Sequence, residues 1–181
     1  MDDAHPTDAS LLARMAHRDP KALDMFYTRH ARAVFSLALT MLGEYTRATD
    51  LTQEVFLLAW RSAGTSQPTG SARAWLLRLT RNRAIDELRR GRRRLAHVSA
   101  LPKQALHALP APLALADAAE RQAVRDALAA LPTEQRDTLF LAFFQGLNHQ
   151  EIATCLRTPL GTIKALIRRA LQTLRQQLQG Q

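Results

Sequence analysis

The chain has 181 residues, room for one compact domain or two small ones and too few for a large multidomain enzyme. With 46% apolar residues, 6% aromatic residues and 7 glycines it is rich in Leu and Ala, a composition that favours helices over a sandwich of short strands, so an all-α chain is expected. Basic residues outnumber acidic ones 25 to 16, and 22 of the 25 are arginine, so the net charge of +9 points to a polyanionic partner.

Asp8 or Ser10 caps a first short helix carrying Leu11, Leu12 and Met15. Asp19-Pro20 repeats the start signal, an N-cap followed by proline at the first helical position. Leu23, Phe26, Tyr27, Val34, Leu37 and Met41 then recur three or four residues apart until Gly43 offers a stop. The next helix spans roughly Thr46 to Ser62, with Leu51, Val55, Leu58 and Ala59 on one side and Asp50, Gln53 and Glu54 on a polar side. Gly64 to Gly70 reads as a loop, and Ser71 caps a helix from Ala72 to about Arg90. That helix begins apolar nearly all round, with Trp75, Leu76, Leu77 and Leu79, of which Trp75 reads as core. Further on, Asn82, Asp86, Arg89 and Arg93 share a sector of roughly 60° and form a polar ridge.

Charge is unevenly placed. Residues 61–94 hold 10 basic and 2 acidic side chains, net +8, whereas residues 1–60 hold 6 and 8, net −2. Residues Leu95–Ala116 contain Pro102, Pro110 and Pro112 among small apolar residues and read as a flexible Pro/Ala-rich linker. Beyond it a helix covers Ala118 to Leu131, and Pro132-Thr133-Glu134 opens another that runs through Phe140 and Phe144 to Gly146. The pair His149–Leu156 and Leu160–Leu178, joined by Arg157-Thr158-Pro159, has the helix-turn-helix pattern. Ile152, Ala153 and Leu156 form the apolar set of the first helix; Ile163, Ile167, Ala170, Leu171, Leu174 and Leu178 form that of the second. Small Ala153 permits close crossing, and Ile163 seals the pair. The outer side of the second helix carries Lys164, Arg168, Arg169, Gln172 and Arg175, a face suited to bases and phosphates.

No constellation for catalysis, metal or cofactor stands out. Asp50 and Glu54 lie one turn apart without a third ligand, and His149 and Cys155 lack ligand spacing. Cys155, on an apolar helix face, reads as small core filler and cannot form an internal disulfide, which fits a reducing cytoplasm. The acidic start, Met1-Asp2-Asp3, and the lack of a long apolar run predict a soluble protein without membrane insertion.

Three strings in order resemble the extracytoplasmic-function type of bacterial RNA polymerase sigma factor. Asp50-Leu51-Thr52-Gln53-Glu54-Val55-Phe56 resembles the family's core-binding helix. Ala74-Trp75-Leu76, Asn82 and Ala84-Ile85-Asp86 with Arg89-Arg90 resemble its −10 reading helix. Gly146-Leu147, Glu151-Ile152-Ala153 and Pro159-Leu160-Gly161-Thr162-Ile163-Lys164 resemble its −35 reading domain. The resemblance implies a non-catalytic initiation factor with two small helical domains, 8–94 and 117–178, joined by the 95–116 linker. Its implied partners are core RNA polymerase, promoter DNA and an anti-sigma factor, and it implies no cofactor. It assigns polymerase binding to Asp50, Gln53, Glu54 and Phe56, −10 contacts to Arg78, Asn82, Arg83, Asp86, Arg89 and Arg90, and −35 contacts to Thr162, Lys164, Arg168 and Arg169. The chain departs from the pattern at Ala72 and Leu77, where aromatics are common, at Arg157 in place of a turn glycine, and at Ala165-Leu166 in place of a Ser-Arg pair. Two other readings fit the bare residues: a stand-alone helix-turn-helix repressor, which leaves the arginine run unexplained, and a basic RNA-processing enzyme, which lacks an acid/base or metal constellation.

Overall fold

A computed structural model describes residues 6–65, 71–94 and 118–179, so the linker, part of the Gly64–Gly70 loop and the chain ends lie outside the described residues. Among the described residues there are eight α-helices and no strand: α1 (Asp8–Ala16), α2 (Pro20–Leu42), α3 (Tyr45–Ser62), α4 (Ala72–Arg94), α5 (Ala118–Ala129), α6 (Thr133–Phe143), α7 (His149–Leu156) and α8 (Leu160–Gln179). The chain divides into two compact units, Met1–Ala84 and Ile85–Gln181. The division falls inside α4.

In the first unit, α1, α2 and α3 pack against one another. The Asp19 carboxylate accepts from the Lys21 amide ahead of Pro20, and Gly43 closes α2 at φ 72°, a left-handed conformation that glycine takes freely. The cap of α1 is neither expected residue: Thr7 stands one position outside, and its hydroxyl accepts from the Ser10 amide. Between these helices lie Leu11, Met15, Phe26, Val34, Leu51 and Val55, all essentially buried. Phe26 meets Phe56 edge-on at 6.3 Å, Tyr27 leans on the same ring at 4.7 Å, and His30 meets Phe26 at 4.7 Å. His30 is buried with Nε2 3.1 Å from Asp8 Oδ2. Burial pushes its pKa below the ordinary value, opposed by Asp8 and assisted by Arg29 and Arg73.

Ser71 caps α4, its hydroxyl accepting from the Ala74 amide at 3.4 Å. The helix continues past Arg90 and through Gly91 to Arg94. Leu76, Thr80 and Ala84 are wholly buried, whereas Trp75, Leu77 and Leu79 are half-buried, so the apolar first half is covered on one side more than on the others.

The second unit is centred on Leu141, Leu147, Ile152, Ala153 and Ile163, with Leu156, Leu160, Leu166 and Ile167 packed around them. Ala153 and Ile163 are buried where α7 meets α8, as the sequence pattern requires. A capping box opens α7: Asn148 Oδ1 accepts from the Glu151 amide at 2.9 Å, and Glu151 Oε2 accepts from the Asn148 amide at 2.6 Å. Three expectations need correction. Leu171 is 55% exposed and Leu178 42% exposed, so the apolar face of α8 stops short of both. Cys155 is exposed, because Ile152 and Ala153 take the inner positions of this short helix.

Candidate functional site

Three exposed polar surfaces carry the expected site residues. On α3, Asp50, Gln53 and Glu54 are exposed, while Leu51, Val55 and Ala59 hold the opposite side in the core. Phe56 does not share their face: it is 4% exposed and packed against Phe26 and Tyr27, so it supports the helix from within and offers no ring to a partner. Leu57 takes its place on the surface. At about 100° per residue it falls between Gln53 and Glu54 on the helical wheel, and it is 53% exposed. An apolar residue inside a charged face supplies dehydration energy that the flanking charges lack. The sequence carried this signal, a leucine whose spacing puts it outside the apolar sector of α3 and among the polar residues.

On α4, Arg78, Asn82, Asp86 and Arg89 are exposed and span a sector of about 80°. Arg90 is also exposed, and its Nε donates to the Asp86 carbonyl at 3.3 Å. Arg89 Nε donates to the Gly146 carbonyl at 3.3 Å, both residues lying in the second unit. Arg83 stands off this ridge and is half-buried. Its guanidinium lies 3.6 Å from Glu54 Oε1, an ion pair joining α3 to α4 inside the first unit. One residue expected at each of two different surfaces is thus paired with the other. The side chain of Arg93 lies outside what is described.

On α8, Thr162, Lys164, Arg168 and Arg169 are all exposed. They do not form one cluster. Lys164, Arg168 and Arg175 fall within about 40° of each other, Thr162 and Arg169 stand on the other flank, and Gln172 lies between. Cations on both flanks of a helix, with small or amide side chains between, suit a groove whose two walls are phosphate. Leu166, at a departure from the family pattern, is half-buried against the helix-turn-helix core and is not part of this surface.

Nothing in these surfaces suggests catalysis. Among the described residues no group of three or more His, Cys, Asp or Glu side chains could hold a metal ion, and no helix is long and apolar enough to cross a membrane.

Two family models match the chain: Sigma-70 region 2 over residues 26–94 and Sigma-70 region 4 over residues 121–174. The ECF RNA polymerase sigma factors SigK of Mycobacterium bovis (strain BCG / Pasteur 1173P2) and Mycobacterium tuberculosis (strain ATCC 25618 / H37Rv) are each 35% identical over 170 residues, covering 92% of this chain and 90% of the relative. Among solved structures, the sigma factor RpoE in complex with the anti-sigma factor NepR from Bartonella quintana is 22% identical, with a TM-score of 0.40 over 88% of this chain and 98% of that one.

Proposed function

Because this chain belongs to the ECF family of RNA polymerase sigma factors, non-catalytic factors that direct transcription initiation, we propose how its three polar surfaces divide that work. Residues 8–94 bind polymerase and the −10 region, residues 117–178 bind the −35 duplex, and 95–116 tether them. Asp50, Gln53 and Glu54, with Leu57 between them, dock on core polymerase, and Phe56 shapes that face from inside. Arg78, Asn82, Asp86, Arg89 and Arg90 face the −10 region and hold the opened strand, the arginines neutralising phosphate while Asn82 and Asp86 offer hydrogen bonds to exposed bases. Arg83, off this ridge and paired with Glu54, adds its charge on the −10 side. Thr162, Lys164, Arg168 and Arg169 contact the −35 duplex, mostly at its backbone. An anti-sigma factor that occupies the α3 face would hold the protein inactive, and competition between such a factor and core polymerase for the full chain tests that partner.

The observation that carries this reading is the division of α4. Leu76, Thr80 and Ala84 are wholly buried, while the ridge of Arg78, Asn82, Asp86 and Arg89 is exposed and mixes cations with base-reading side chains. A merely solvated helix end needs no Asn82 or Asp86 among its arginines. The test reconstitutes the chain with bacterial core polymerase on promoter templates. Asn82→Ala and Asp86→Ala should slow open-complex formation on duplex templates more than on pre-melted ones. Equal loss on both templates would assign the ridge to docking, and no loss would remove it from the site.

A further inference from the structure

Arg157 stands where the first helix of the helix-turn-helix gives way to the second. Its amide donates to the Thr154 carbonyl at 3.3 Å, and the Thr158 amide donates to the Ala153 carbonyl at 3.0 Å. These paired bonds close a helix end around a left-handed residue, and Arg157 is that residue, at φ 51° and ψ 41°. Glycine adopts this conformation freely, whereas a residue with a Cβ does so against steric repulsion. At two other left-handed positions, after α2 and after α6, the chain has Gly43 and Gly146.

One other non-glycine residue among those described has positive φ, and it makes an instructive contrast. Arg18, at φ 63°, directs its guanidinium to the Trp60 carbonyl at 3.4 Å and over the Trp60 ring at 5.6 Å from the centroid. That side chain gains contacts inside the protein which offset the backbone cost. Arg157 gains none: it is exposed, and among the described residues its guanidinium has no hydrogen-bond or ion-pair partner. The acid nearest to it in sequence, Glu151, is engaged in the capping box at the far end of α7. A strained backbone with a free cation and no internal contact indicates a contact made outside the chain.

Position supplies the chemistry of that contact. In a helix-turn-helix the N-terminal residues of the second helix enter the major groove, so the turn just before them borders the sugar-phosphate wall. We propose that Arg157 binds a backbone phosphate of the promoter duplex at the edge of the −35 element, anchoring the turn as α8 enters the groove. This rests on the reading of α7 and α8 as the −35 binding unit. Gly161, exposed near the start of α8 with nothing within 4 Å of where its Cβ would be, leaves the approach open.

The test uses the full chain assembled with core polymerase, and matched and mismatched −35 duplexes titrated with salt. Arg157→Gly is the informative variant, because glycine fits the left-handed turn and should keep or raise the thermal midpoint of the free chain. It should nonetheless weaken binding several-fold at low salt, equally on both duplexes, and reduce the slope of log K against log salt by about 0.9. Arg157→Lys should retain the slope. Unchanged affinity and slope for Arg157→Gly, with wild type still discriminating the two duplexes, would overturn the proposal alone. So would a loss confined to the matched duplex, or a loss that accompanies a lower thermal midpoint. A wild-type complex that does not distinguish the duplexes would overturn the helix-turn-helix reading itself.

Discussion

Reversing the charge of Glu54 separates its ion pair with Arg83 from the docking on core polymerase proposed for it. Glu54 lies 3.6 Å from Arg83, with the two side chains 47% and 35% exposed. Ion pairs that open to water contribute about 0–1 kcal/mol. Glu54→Lys replaces that attraction with repulsion of similar size, so the stability loss should not exceed about 2 kcal/mol. For a unit this small, 1 kcal/mol corresponds to a fall of roughly 4–8 °C in thermal midpoint. At a polymerase interface the consequence is larger, because truncating one partner of a buried, hydrogen-bonded charge pair costs about 2–5 kcal/mol, or roughly thirtyfold to several thousandfold in affinity. Circular dichroism melts of the chain and titration of labelled core polymerase measure the two quantities on one preparation. Arg83→Ala is the control, since it breaks the same ion pair but leaves the acidic face of α3 intact. The expected pattern is a small thermal effect for both variants, up to twice as large for Glu54→Lys, with polymerase affinity lost only in Glu54→Lys. Undiminished polymerase binding by Glu54→Lys would refute the docking role, and equal loss in both variants would show that the ion pair, not the exposed carboxylate, is what matters.

Two further outcomes follow from local geometry. Asn148→Ala removes the side chain that opens the eight-residue α7. It should lower stability by about 1 kcal/mol, measurable by urea denaturation, and Glu151→Ala added to it should cost less than it does alone, because the two bonds of the capping box close on each other. Because His30 titrates below its ordinary value in the fold, the native state favours the neutral imidazole and the unfolded chain takes up the proton first. Its contribution is therefore complete above the unfolded pKa of about 6.5 and is lost as pH falls through the lower folded value. Thermal melts between pH 7.5 and 5 should drop more steeply for wild type than for His30→Gln; parallel curves would mean the buried imidazole is not responsible.

Where chemistry is local, the sequence was easy to read. Asp19-Pro20 and Gly43 bound α2 because a capping carboxylate, a ring-fixed φ and a left-handed glycine act within a few residues of themselves. The helix-turn-helix was legible for the same reason, with Ala153 and Ile163 buried where the pattern put them. Errors arose where neighbours compete. Thr7, Asp8 and Ser10 are all competent caps, and Thr7 takes the role while the Asp8 carboxylate is engaged by Arg29 and His30. In α7 the apolar set is too short to fix an inward direction closely, so Cys155 was placed inside when it faces solvent. Phe56 shows the limit of matching by string, since a residue inside a binding segment can belong to the core beneath it. The Glu54–Arg83 pair joins residues on two helices, and no periodicity within either helix could reveal it.

The exposure of Cys155 has a practical side. It is the one cysteine in 181 residues, and it sits on the outside of α7. A maleimide dye or spin probe added to the unmodified chain therefore attaches at a single place, in the first helix of the helix-turn-helix, without any engineered substitution. Such a label reports on this helix as duplex is added. The same solitary thiol has no partner within its own molecule, so air oxidation can join it only to another molecule, and preparations kept without reductant should accumulate cross-linked pairs whose helix-turn-helix units are tied together.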